Sequence, residues 1–149
     1  MTWRRVLAPL VGLGLTWPAA AAPAPTPTPF PAATPRTVAL RVIMEEYRFT
    51  PASFALRSGD VVRLEIHNQG TVTHQFRSRI FRGVDVFVRT PGFDTRSERM
   101  EVIYVRPAGT AVIEFIRRTP GEYDYWCSAT TDGRRHRDLG MQGKFVVAP

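Results

Sequence analysis

Four side chains in this 149-residue sequence have the types and spacing to hold a soft metal ion. Cys127 is the only cysteine. His136 follows after eight intervening residues and Met141 after four more, all within residues 125–143, YWCSATTDGRRHRDLGMQG. His74, in TVTHQFRS, offers a second imidazole from further up the chain. Singly, each has an ordinary use: free cysteine is commonly buried in a core and methionine fills core gaps, while a histidine at a strand start usually faces water. Together they make two neutral imidazoles, a thiolate and a weak thioether. Thiolate and thioether are soft and suit copper(I), imidazole suits both copper oxidation states, and a trigonal His₂Cys set with a long axial methionine is the electron-transfer copper arrangement. Zinc prefers a tighter tetrahedral set and rarely takes methionine, and the chain has no second cysteine for a zinc ribbon.

The lone thiol sharpens the point because the chain reads as exported. Arg4 and Arg5 form a positive head, residues 6–17 an apolar run, and residues 19–22 the small side chains of a cleavage site. That is the layout of a secretory signal peptide over residues 1–22, too short for a comfortable membrane span; the other reading is an uncleaved N-terminal anchor. No cysteine lies near the cleavage region to carry a lipid. In an oxidising compartment an unpaired thiol tends to be oxidised unless it is buried or held by a metal as thiolate. Residues 23–35, PAPTPTPFPAATP, alternate proline and favour an extended spacer without a core. One domain of 114 residues, 36–149, remains to fold.

The elements that must position these residues show period two. TVALRVIM places Val38, Leu40, Val42 and Met44 on one face, and DVVRLEIHN places Val62, Leu64 and Ile66 inside. By the same alternation His67 points outward, so it is read as a surface residue rather than a ligand. RMEVIYVR, TAVIEFI, GEYDYWC and GKFVV are further short β-branched or aromatic runs, separated by RSGD, HNQG, RPAG and RTPG. Residues 84–88 predict another strand, followed by a loop, RTPGFDTRS. Seven or eight short strands predict an all-β, antiparallel Greek-key sandwich. Cys127, His136 and Met141 then share one connection at one end of it, where the connection leading to His74 can also arrive.

Here the sequence resembles the cupredoxins, the blue copper proteins, over nearly all of residues 38–147. EYRFTPASFALRSGDVVRLEIHNQGTVTHQF is similar to the family's first half, up to the first ligand histidine. RPAGTAVIEFIRRTPGEYDYWCS is similar to its second half, up to the ligand cysteine, and GMQGKFVV to its ending, with the axial methionine. The resemblance implies one type 1 copper per chain, held by His74, Cys127, His136 and Met141. Small members have two to four residues between the cysteine and the second histidine; the Cys-x₈-His-x₄-Met spacing here is instead similar to the type 1 site of copper nitrite reductases. The resemblance also implies that Asn68 ties the two ligand loops together and that His136 presents an exposed edge as the electron exit. The backbone N–H of Ser128 is expected to soften the charge on the sulfur.

What this implies for function is a one-electron carrier, or alternatively a periplasmic copper delivery or storage protein. An enzyme is not expected. The oxidases of this kind need His-x-His pairs, the reductases extra histidines near the first ligand, and binuclear copper a second cysteine, none of which the sequence has. The formal charge is +7, with arginine supplying 19 of 20 basic residues, scattered along the chain rather than bunched as in a nucleic-acid patch. Arg134, Arg135 and Arg137 flank His136 and favour an acidic redox partner docking there.

Overall fold

Alternation of apolar and polar residues sets the strands, and glycine, proline and aspartate set the turns between them. The computed structural model describes residues 35–149; the predicted signal peptide and all but the last residue of the proline-rich spacer lie outside the described residues. The strands are β1 (Thr37–Glu45), β2 (Arg48–Thr50), β3 (Ser53–Arg57), β4 (Val61–Asn68), β5 (His74–Ser78), β6 (Val86–Thr90) and β7 (Phe93–Ser97). They continue with β8 (Val102–Val105), β9 (Thr110–Ile116), β10 (Gly121–Trp126), β11 (Thr130–Thr131), β12 (Arg134–Arg135) and β13 (Gln142–Ala148). Two sheets form the sandwich, ordered β2-β1-β4-β9-β6-β7 and β3-β13-β10-β5-β8, and β11 and β12 make a separate small hairpin. The all-β sandwich expected from the sequence is therefore the fold, with more and shorter strands than the seven or eight anticipated. Two pairings within it run parallel, β1 with β4 and β3 with β13. The chain reaches each of these partners by a crossing connection rather than a hairpin, which alternation alone does not reveal.

One segment departs from expectation. RTPGFDTRS is not a loop: β6 and β7 pair from Val86 with Ser97 to Thr90 with Phe93. Pro91 and Gly92 turn the hairpin, Gly92 at φ 81°, a conformation that glycine adopts without steric penalty. β7 is an edge strand whose residues are all at least partly exposed, so it carries no apolar alternation to betray it.

The core lies between the sheets. Val42, Met44, Leu64, Ile66, Val86, Ile113 and Phe115 come from the six-stranded sheet, and Phe54, Phe76, Tyr125, Phe145 and Val147 from the other, all buried. Phe76 stacks on Tyr125 at 5.0 Å between centroids, and Phe145 meets Tyr125 at the same separation. Each such side chain contributes on the order of 1.5–3 kcal/mol on burial. At the end of the sandwich where β3 turns into β4, the Arg36 guanidinium bonds both oxygens of Asp60 at 3.1 and 2.7 Å, and Asp60 accepts the Arg57 N–H at 2.8 Å. The Arg36 bond is the main reason the Asp60 carboxyl titrates below its ordinary range.

Candidate metal centre

Three adjacent strands and the connection between two of them position the candidate ligands. β13, β10 and β5 lie side by side; His74 opens β5, Cys127 follows β10 directly and Met141 directly precedes β13. The connection from Cys127 to Met141 folds back on itself. β11 and β12 turn at Asp132 and Gly133, both with positive φ, and one short 3₁₀ turn, His136–Leu139, brings the chain home. Backbone bonds lock it: His136 N–H to Ala129 O at 2.9 Å, Arg137 N–H to Cys127 O at 3.1 Å, Met141 N–H to His136 O at 2.9 Å and Cys127 N–H to Met141 O at 3.0 Å. Eight residues between Cys127 and His136 thus form a pinned hairpin that returns the histidine to the cysteine.

The donor atoms of His74, Cys127 and His136 all lie within 4.8 Å of one another. Cys127 Sγ is 3.6 Å from His136 Nδ1 and 3.9 Å from His74 Nδ1, and the two Nδ1 atoms are 3.2 Å apart. The three residues and Met141 are all buried. No carboxylate belongs to the cluster. Two imidazole nitrogens and a sulfur aimed at one point, out of water, are short of positive charge at that point. A soft cation bound by nitrogen and sulfur satisfies them together, so the donor set fits copper.

Burial governs the electrostatics. It pushes the Cys127 thiol above its ordinary pKa, opposed by backbone N–H groups of Gln75 and Ala129. It pulls both imidazoles below the usual histidine value, His74 further disfavoured as a cation by His136. Near neutral pH both rings are therefore neutral and available as ligands.

Several expectations need correction around this cluster. The N–H reaching the sulfur at 3.3 Å is that of Gln75, while Ser128 uses its hydroxyl on the Gln75 side-chain oxygen. Gln75 sits beside His74 in β5, so pairing of β5 with β10 brings it to the sulfur. Asn68 does not join the two ligand loops. Its amide donates to Val72 O and Val105 O, each at 2.8 Å, and it accepts the Gly70 N–H at 2.9 Å. It thereby fixes the turn before His74 against β8. His136 has no exposed edge: it is 1% exposed. The Thr131 hydroxyl, on the long hairpin, lies 2.8 Å from its Nε2, and the Tyr47 ring, on the β1–β2 turn, packs edge-on at 5.0 Å. Arg134, Arg135 and Arg137 are exposed; Arg135 bonds Asp138 at 2.9 Å and Arg137 lies over the Trp126 ring at 5.0 Å. His67 lies on the outer side of β4, half-buried beside Thr110, as alternation predicts.

Two neighbours carry no sequence signal. Glu46 and Tyr47 form the turn between β1 and β2, in the opposite sheet. Tyr47 takes φ 64°, a region costing a residue with a side chain roughly 1–2 kcal/mol. Only the positive φ itself, seen in the fold and not in the sequence, marks this turn as unusual.

The family model described as a cupredoxin-like domain matches residues 11–147. None of the curated proteins compared matches the chain. Among solved structures, a dithionite-reduced auracyanin from the photosynthetic bacterium Roseiflexus castenholzii is 18% identical, with a TM-score of 0.53 over 74% of this chain and 97% of its own. A multi-copper oxidase from Pediococcus acidilactici is 17% identical, with a TM-score of 0.59 over 82% of this chain and 29% of its own. One from Campylobacter jejuni, described as a metallo-oxidase, is 17% identical, with a TM-score of 0.55 over 80% and 31%. The chain thus spans under a third of either oxidase. At these identities the likeness is one of fold.

Proposed function

Because the chain belongs to the cupredoxin-like domain family, we propose that it is an exported type 1 copper protein that carries single electrons between redox partners. The observation that carries this reading is the convergence of one buried sulfur and two buried imidazole nitrogens within 4.8 Å. His74, Cys127 and His136 would hold one copper ion, with the buried Met141 thioether as a weaker fourth donor. Copper bound there would supply a reversible one-electron couple. The chain's own part is to hold the donors still. Three neighbouring strands and the pinned hairpin fix them, so little has to move between oxidation states. The Gln75 N–H takes up part of the sulfur's negative charge, and Thr131 and Tyr47 keep water from His136.

The likeness in fold to an auracyanin supports the carrier reading. The chain has three histidines, of which two are in the cluster and His67 lies on the outer side of β4. None is left to build the second copper site that oxidase chemistry would need. A buried, twice-covered centre also suits retention of copper better than its hand-off, which is why delivery ranks second. The signal-peptide layout of residues 1–22 supports a periplasmic or secreted location, and the arginines around His136 an acidic partner.

Adding copper(II) to the purified protein tests the reading. One ion per chain and an intense visible band from thiolate-to-copper charge transfer are expected, the band being lost in Cys127→Ser. Repeated reduction and reoxidation should leave the copper bound; copper released on each reduction would favour delivery. A band surviving in Cys127→Ser would overturn the assignment.

A further inference from the structure

His74 has two ring nitrogens, and the cluster accounts for one. Nδ1 faces Cys127 and His136. Nε2 is buried without a hydrogen-bond partner, one of two such side-chain atoms among the described residues. A buried N–H without a partner costs roughly 1–3 kcal/mol, so what lies in front of it matters.

What lies there is Gly70 and, beside it, a carboxylate. A Cβ on Gly70 would sit 2.8 Å from His74 Nε2 and 2.8 Å from Glu46 Oε1. Glycine is thus required for the two atoms to flank the same backbone so closely. Glu46 is not loose. Its Oε1 accepts both the backbone N–H and the hydroxyl of Thr71, the latter at 2.9 Å. Its charge acts on both rings of the cluster, favouring their positive forms. The rest of the turn is held by Asn68, which accepts the Gly70 N–H. Thr71, on the turn before β5, therefore holds the negative charge of Glu46, on the β1–β2 turn, near the outer nitrogen of His74.

We propose that Glu46 is a positioning residue for His74, its carboxylate the acceptor that the Nε2–H, unpartnered in this structure, turns to so that Nδ1 is fixed as the metal-facing nitrogen, with Gly70 the gap across which the two approach. A carboxylate behind a metal-bound imidazole fixes its tautomer and orientation and raises its basicity. A more basic His74 favours copper(II) over copper(I), so Glu46 would set the site's reduction potential lower than a neutral acceptor would. The potential rests on the copper reading; the tautomer and the bond to Nε2 do not.

The test therefore has two arms. In the metal-free protein, nitrogen-15 NMR of the histidines should show His74 protonated on Nε2, with that proton exchanging at least tenfold faster in Glu46→Ala and in Gly70→Ala. In the copper-loaded protein, Glu46→Gln keeps an oxygen for Thr71 and removes only the charge. It should shift the ratio of copper(I) to copper(II) affinity about tenfold toward copper(I), a rise in potential of about 59 mV for one electron. If Glu46 merely supported Thr71, Glu46→Gln would leave both the potential and the His74 resonance where they were, and the proposal would fall. Should Glu46→Ala not fold, Glu46→Gln alone decides by the same two readouts. A parent protein that takes up no copper overturns the copper reading, and the metal-free arm still decides the role of Glu46.

Discussion

Thr131 governs how His136 meets the outside of the molecule. Its hydroxyl is the partner given to Nε2, and replacing it by valine keeps the shape while leaving a buried nitrogen unpaired. Thr131→Val should destabilise the metal-free protein by about 1–3 kcal/mol, read from urea unfolding; an unchanged midpoint would mean that water already serves the ring. The two buried imidazoles also make the metal-free protein sensitive to acid. Burial lowers both histidine pKa values in the folded chain below the ordinary 6.5, so over the interval between these values the unfolded chain binds more protons. Their contribution to stability is complete above about pH 6.5 and is lost as the pH falls through the lower, folded values. The melting temperature should drop between neutral pH and pH 5, and copper, by holding the rings neutral, should blunt the drop. At this scale the sequence is readable where donor types recur at a tell-tale spacing, as with Cys127, His136 and Met141. It is mute for Thr131, Tyr47 and Glu46, which have ordinary side chains and gain their roles only from what the fold sets beside them.

Among the elements, the turn before β5 is the most economical. Asn68 alone satisfies Gly70 N–H, Val72 O and Val105 O. Asn68→Ala removes the partner of the buried Gly70 N–H and Val105 O and should cost at least about 1–3 kcal/mol. It should also loosen His74, so that copper binds more weakly although no ligand is touched; a variant with the parent's copper affinity would show that β5 alone orients the ring. Strands such as β4 and β9 were legible because one side faces the core and the other faces out, giving clean alternation. β7 was not, since an edge strand with its residues at least partly exposed has no inward side to show. The β11–β12 hairpin lay hidden for a related reason: two-residue strands pinned mainly by backbone bonds leave little trace in side-chain pattern.

The molecule carries nearly all its positive charge in arginine, and three of those guanidiniums, on Arg134, Arg135 and Arg137, stand on the connection that holds His136. Among the described residues only Arg135 of the three has a bonded carboxylate, Asp138, so a positive field remains over the hairpin. Replacing all three by glutamine should slow electron transfer to an acidic redox protein at low ionic strength and flatten its salt dependence, with the visible band unchanged. A parent-like rate at low salt would move docking to another face. The layout of the sandwich has one more consequence. Every candidate ligand lies on a strand of the five-stranded layer or on the connection between two of its strands, while Tyr47 and Glu46 reach the cluster from the six-stranded layer. Any slippage of one layer across the other therefore drags the lid and the rear carboxylate relative to the donors. A bound chromophore at that seam would act as a built-in strain gauge, changing hue under mild heat or denaturant before the strands themselves let go.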